Sequence, residues 1–485
     1  MTYSRRFPNL AWAWPQGGRN QLVVAAICPD EARAFAAIES WLHETDLDDA
    51  TFAEHRLLAA ITTRFDDRLK KHKEYARLNG LQRLNWTRSL MAMSAAKPAL
   101  QEMVSAGLRL ILLKGACRVA LDVSEQKSRT AYDLDLLLSP SDFVGAFEIL
   151  AANGWVSTRG ESVLGLRGRI SSVRARNFKH GRFGDIDLHQ SAYHIANQSE
   201  NIDRALLDDV QPAQFYGLPV FVPSPEERLA MAIGHGGWDG HSHSDWLVDA
   251  ARIVNVDGVD WDKFCKIIKC RKLSGPTAIA LSYLSTEVGL NISSEVLREV
   301  CGRTNLASPA QISAMFLAKD TGKLTSAQRT IRRAFENFHK LKHSGRDKMQ
   351  DTPLFRAVTK PGSSAAATAG VLEQQLVPDT QAKAGLWSFN VTLNVKAPPK
   401  RRRIEFEINS PTRNLCHLQA FHLRKSGDHT MMRFKGQIEL KKDDFPCVLS
   451  ALPGKLVEAP DGSAEHQKYG IVPFSVLAAD FTHQS

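Results

Sequence analysis

The chain has little of what would place it outside the ordinary globular class. Seven cysteines in 485 residues, an odd number without repeated spacing, exclude a disulfide framework and agree with a reducing compartment. The one close pair, Cys265 and Cys270, has no second pair with which to complete a zinc site. No stretch approaches the ~18 uninterrupted apolar residues that a membrane span needs. The N-terminal segment MTYSRRFPNLAWAWPQGG has two arginines but neither a continuous apolar run nor a small-residue cleavage site, so it does not read as a signal peptide. No internal repeat is visible. A cytoplasmic protein is the expectation.

What is present is a soluble composition, 43% hydrophobic and 24% charged. At roughly 100 to 200 residues per domain the length suggests two to four units. The net charge of +10, with a pI near 9.2, favours acidic partners such as nucleotides, nucleic acid or anionic surfaces, although the excess is diluted over a long chain.

Apolar residues recur at spacings of three and four from Asp30 to about Ala106, which predicts a helical N-terminal region over 1–106. LRLILL (108–113) reads as a buried strand ended by Lys114-Gly115, and ACRVALDV as a short helix. YDLDLLL (132–138) reads as a second strand, followed by a helix that starts near Ser139 and stops at Gly154. The stretch that ends in GDIDLHQ reads as a hairpin turning near His180-Gly181. This order predicts an α/β core over 107–222. Helical periodicity returns over 223–360, with its basic end partly helical, and the small residues of 361–379 suggest a linker. From 380 to 485 the period approaches two, which predicts a β-sandwich-like domain.

On a strand, residues two apart share a face, so Asp133 and Asp135 project together while Leu134 and Leu136 enter the core. Asp185, Asp187 and His189 share a face in the same way. Like charges side by side are unfavourable unless a cation neutralises them, and Mg²⁺ suits carboxylate oxygens together with substrate phosphates. Two ions held by three carboxylates can activate an attacking hydroxyl and stabilise a leaving pyrophosphate. The plain alternative is a strand pair with one solvated face.

The string from Lys114 to Trp155 resembles the uncharacterised nucleotidyltransferase family of the DNA polymerase β-like superfamily. The likeness rests on an apolar strand before Lys114-Gly115, Arg129 four residues before Asp133-x-Asp135-Leu, and a helix ending in Gly154-Trp155. It continues in Asp187-Leu188-His189, Ser224-Pro225-Glu226, His235 and Trp246-Leu247-Val248-Asp249, and so covers roughly residues 20 to 260. It implies a polymerase β-like α/β (α+β) core within helical extensions. It also implies Mg²⁺-dependent transfer of a nucleoside monophosphate from an NTP, ATP being the expected one, to an unknown acceptor. Asp133, Asp135 and Asp187 would be catalytic and hold metal, with Asp185 in reserve, while Lys114, Gly115 and Arg129 would meet the nucleotide. The broader superfamily usually has Gly-Ser where this chain has Lys114-Gly115, and a purely structural Lys-Gly turn remains the alternative. Arg129 could bind phosphate or neutralise Asp133. The family resemblance places His235, Trp246 and Asp249 at or against the edge of the cleft.

Other groupings are weaker. His235, His241, His243, Asp239 and Asp245 crowd one segment, but no spacing completes a zinc set. Arg167 and Arg169 read more simply as a solvated basic loop. The basic stretch 329–360, with phenylalanines interleaved, could meet RNA or another acidic partner, or form a solvated helix face. The rivals to the transfer reading are a nucleotidylating toxin or resistance factor, and an idle scaffold that binds nucleotide or nucleic acid.

Overall fold

The computed structural model describes residues 11, 14–129, 131–158, 163, 173–193, 200–238, 244–302 and 330, and in the C-terminal part 354–356, 358–361, 373–378, 380, 383–396, 403–421, 429–451, 454–455, 469–470 and 474–484. The chain divides into two compact units, residues 1–139 with 181–346, and residues 140–180 with 347–485.

The first unit opens with helices α1 (Gly18–Ile27), α2 (Glu31–Glu44), α3 (Phe52–Arg64), the short α4 (Asp66–Leu69) and the long α5 (Tyr75–Ser105). Their starts follow from local chemistry. The Asp30 side chain accepts from the Arg33 N–H at the head of α2, and Thr51 with Glu54 forms a reciprocal capping box at the head of α3. Pro98 sits inside α5 without ending it. Among the described residues no helix is long and apolar enough to cross a membrane.

The sheet of this unit is built from β1 (Ile111–Leu112), β2 (Leu134–Leu137), β5 (Gly184–His189), β6 (Val210–Phe215) and β7 (Leu218–Pro223), with α6 (Lys114–Leu121) between β1 and β2. The strands lie in the order β5-β2-β1-β7-β6. β2 runs parallel to β5 and β1 parallel to β7, whereas the β1–β2 and β6–β7 pairs are antiparallel. The core is therefore a mixed α/β sheet. The LRLILL run forms a shorter strand than its apolar length suggests, since only Ile111 and Leu112 pair in the ladder.

Helices α8 (Glu200–Asp208), α9 (Pro225–Trp238), α10 (Asp245–Val256), α11 (Trp261–Cys270), α12 (Ser274–Tyr283) and α13 (Ser294–Gly302) complete the unit. Every residue of α12 from Gly275 to Tyr283 is buried, so this helix is enclosed on all sides and forms the centre of the helical part. Trp41, Leu22, Leu247 and Phe264 join the same core. Each such buried side chain contributes about 1.5–3 kcal/mol relative to exposure.

The second unit contains α7 (Pro140–Ala152), β3 (Val156–Ser157) and β4 (Ala175–His180), where Phe147 meets Phe178 edge to face at 4.8 Å. Its C-terminal part is strand-rich: β8 (Leu354–Arg356), β9 (Val358–Pro361), β10 (Glu373–Val377), β11 (Gly385–Lys396), β12 (Arg403–Asn409), β13 (Asn414–Phe421), β14 (His429–Leu440), β15 (Cys447–Ala451), β16 (Gly454–Lys455), β17 (Tyr469–Gly470) and β18 (Phe474–His483). Two larger sheets result, ordered β10-β15-β12-β13-β8 and β18-β11-β14-β9. On β11 the residues Trp387, Phe389, Val391, Leu393 and Val395 are buried at every second position, the alternation expected of a strand with one face in a core.

Candidate active site

Parallel pairing of β2 with β5 sets Asp135 beside Asp187 and Leu137 beside His189. Leu134, Leu136, Ile186 and Leu188 are fully buried on the opposite face, which fixes the direction of the carboxylates between them. His189 follows Asp187 by two residues, so its ring comes to the same side. Its Nε2 lies 2.9 Å from Asp135 Oδ1 and 3.2 Å from Asp187 Oδ2. Ligand atoms of Asp135, Asp187 and His189 all lie within 4.8 Å of one another. Asp133 precedes the strand and stands exposed beside this group, because β2 begins only at Leu134.

Lys114 closes the group from α6, its Nζ 2.7 Å from Asp135 Oδ1. The backbone holds it there: the Leu113 N–H donates to the Asp135 carbonyl at 3.0 Å, and Lys114 takes φ 49°, a left-handed value that is costly for a residue with a Cβ. Gly115 has its own constraint. A Cβ at this position would fall 2.8 Å from the Ala131 Cβ, so the start of α6 can approach the segment before β2 only without a side chain.

Charge is unevenly compensated here. Burial alone would raise the Asp135 carboxyl, but Lys114 and His189 reverse that and hold it well below the usual carboxylate range. Burial would lower His189, yet Asp187 and Asp135 push it up to about 8. Burial likewise works against Lys114, and Asp135 and Asp133 raise it. Asp133 is pushed up to about 6 by enclosure in protein and by Asp135, with Asp185 adding to the effect. Since Asp133 is open to water, the repulsion from its neighbours is the firmer of these causes.

Arg129 faces the other way. Its Nε and Nη2 donate to Asp249 Oδ1 and Oδ2, each at 3.0 Å, and its Nη1 donates to Asp245 Oδ2 at 2.8 Å. The second carboxylate is also bound by Arg56, and Asp249 by Arg118 at 2.8 Å. Arg118 pairs further with Glu125, which Arg252 meets at 2.8 Å before reaching Asp122 at 3.2 Å. Burial would raise Asp249, but Arg129 and Arg118 keep it down at about 2.

Both groups border one cavity of about 190 Å³. Lys114, Gly115, Arg129, Asp133 and Asp135 line it, and Met231, His235, Trp246 and Ile253 form its less polar side. Trp246 lies so close to α9 that a Cβ on Gly236 would fall 2.0 Å from its ring. Asp187 is not among the lining residues and meets the group through Asp135 and His189.

Of the six residues singled out from the sequence, five thus line the cavity, and the sixth sits one strand away. Reasoning from the sequence did not select His189 as a member of the group, although its period-two spacing from Asp187 was the available signal. Asp245 and Asp249, four apart on α10, were not recognised as the partners of Arg129. Arg167, Arg169, Asp239, His241, His243 and residues 331–350 lie outside the described residues.

A family model described as "Uncharacterised nucleotidyltransferase" matches residues 50–286, a span that includes every residue of the cavity wall. No curated protein and no solved structure gave a match. Through residues 50–286 the chain is similar to the uncharacterised nucleotidyltransferase family, and that match supports a transferase of nucleotidyl groups.

Proposed function

We propose that the protein moves a nucleoside monophosphate from an NTP, ATP first, to an acceptor hydroxyl in a Mg²⁺-dependent reaction. The acceptor oxygen bonds to the α-phosphorus, and the bond from that phosphorus to the bridging oxygen of the β-phosphate breaks. The acceptor proton passes to Asp187, and pyrophosphate leaves. The observation that carries this reading is the in-register pairing of Asp135 with Asp187 at the Lys114 end of the cavity.

The donor set fits a divalent ion, because Asp135, Asp187 and His189 converge and the crowding at Asp133 is what a cation relieves. An ion held by Asp133, Asp135 and Asp187 would stabilise charge on the transferring phosphoryl group. Lys114, released from Asp135, would meet the phosphates together with Gly115 at the N-terminus of α6. Arg129, which Asp245 and Asp249 engage, would meet the phosphates from that side on releasing one of those carboxylates. The strand-rich part, a β-sandwich-like domain that takes in β8, β9 and β10 where helix and a linker at 361–379 are expected from the sequence, as well as the strands from about residue 380, would recognise the acceptor or a partner. The basic stretch 329–360 would contact an acidic one. A cytoplasmic setting belongs to the same proposal.

One observation favours the idle scaffold as a second reading: Lys114 and His189 already satisfy Asp135 without a metal. Incubation of the full chain with labelled NTPs, Mg²⁺ and cell extract separates the two. Label on an acceptor that depends on Asp135 supports transfer, and nucleotide binding without turnover supports the scaffold.

A further inference from the structure

Beside Asp133 the surface carries a feature that the transfer chemistry does not use. Phe52, the first residue of α3, is 49% exposed, and its ring stacks on that of Tyr132 at 5.8 Å with an interplanar angle of 25°. Tyr132 immediately precedes Asp133 and is fixed from behind, its hydroxyl donating to Asn85 Oδ1 at 2.6 Å. The Arg56 guanidinium lies 5.8 Å from the Phe52 ring centre and also lines the cavity, which places the ring at the cavity's mouth.

The outward face of α5 continues from this point. Arg83, Leu84, Arg88 and Met91 are exposed on its outward side over about two turns, with Leu84 48% and Met91 41% open to solvent. From residue 75 to residue 101 the helix contains no Asp or Glu. Among the described residues no carboxylate forms an ion pair with Arg83, Arg88 or Lys97, in contrast to the fully paired arginines of the cavity wall. The Arg88 side chain is hydrogen-bonded to Tyr132, so Arg56 and Arg88 both stand beside the aromatic pair. At 1.5 Å per residue the stretch from Arg83 to Met91 extends about 12 Å, room for about two nucleotides.

We propose that the Phe52–Tyr132 stack and the adjoining acid-free face of α5 dock a single-stranded nucleic acid and present its terminal hydroxyl to the cleft as the acceptor. This rests on the transfer reading above. An exposed aromatic face offers stacking to any unpaired base, and neighbouring cations that no carboxylate neutralises attract its phosphates. A duplex hides its base faces and loses the first of these contributions.

The test uses the full chain and fluorescent single-stranded RNA, single-stranded DNA and duplex of matched length. Binding is read by anisotropy without nucleotide or Mg²⁺ over a series of salt concentrations. The two single-stranded arms distinguish RNA from DNA, and tighter binding of at least one than of the duplex is expected. Phe52→Ala should weaken it on the order of tenfold, and Arg88→Gln should weaken it while reducing the salt slope by about one. Both positions are exposed, and a thermal melt of each variant verifies folding. Asp135→Asn should bind the strand as wild type does but fail to label its end with NTP. Single strands that bind no better than duplex, variants that bind unchanged, or wild type that labels a protein but no strand would overturn the proposal. Strand binding that needs Phe52 and Arg88, without label on any acceptor, supports docking and instead sinks the transfer chemistry.

Discussion

Two acidic groups border the same cavity and are neutralised differently. Near α10, Asp245, Asp249, Glu125 and Asp122 are each met by at least one of Arg56, Arg118, Arg129 and Arg252. At the β2–β5 end, Asp133, Asp135 and Asp187 crowd around Lys114 and His189, and the surplus negative charge shows in the elevated Asp133. A compensated group is a wall, costly to break and inert to added ions. An undercompensated one can accept a cation, and that contrast separates structure from chemistry within one pocket.

The largest expected effect lies at the undercompensated end. Asp135→Asn keeps shape and removes the charge that an ion needs, so transfer should fall on the order of a thousandfold or more, since each ~1.4 kcal/mol of lost stabilisation is tenfold in rate. The melting temperature of the metal-free protein should also fall, because Lys114 and the buried His189 lose the charge they are paired with, so turnover is compared at equal folded fraction. Turnover of labelled NTP beside a thermal melt checks both halves. The paired end should respond in stability: Arg129→Ala leaves Asp245 and Asp249 short of a partner in a buried setting and should cost about 3–5 kcal/mol of stability. Chemical denaturation measures that loss, and an unchanged midpoint would show that the wall is not what holds α10 in place.

The fold was legible where a short period controls it. Alternation in GDIDLH places Asp187 and Ile186 on opposite faces, and the strands on either side of Gly181, at φ 55°, follow the expected hairpin positions. Period two in the C-terminal part likewise matches strands such as β11 and β14. What one sequence does not encode locally is partnership at a distance. Asp135 meets Asp187 only through strand register, and Arg129 finds Asp245 and Asp249 more than a hundred residues onward. The sequence predicts Asp133 as a strand residue like Asp135, whereas β2 starts one residue later, at Leu134.

A smaller effect sharpens the comparison at the seam between the two groups. Gly115→Ala places a methyl 2.8 Å from Ala131 Cβ, between the Lys114 and Arg129 sides, and overpacking of this kind costs about 1–3 kcal/mol. Differential scanning of the variant gives the number, and a stability equal to wild type would show that the backbone shifts freely there.

The smallest effect is one of pH. His189 is raised to about 8 in the folded protein, so the stability it gains from Asp187 and Asp135 is fully present below its ordinary value near 6.5 and is lost as pH rises through about 8. The melting temperature of the metal-free protein should fall across that window, and His189→Asn should flatten the fall. Asp249, kept down at about 2, stays ionised throughout and adds no slope there.

The most direct measurement is a Mg²⁺ titration of the metal-free protein followed by thermal melting, with Asp135→Asn and Arg129→Ala in parallel. An ion that binds the folded state alone raises the melting temperature as its concentration passes the dissociation constant. Wild type and Arg129→Ala should both gain with Mg²⁺, from different starting points, while Asp135→Asn gains nothing. An equal gain in Asp135→Asn, or none in wild type, would contradict the claim that the β2–β5 carboxylates are a cation site.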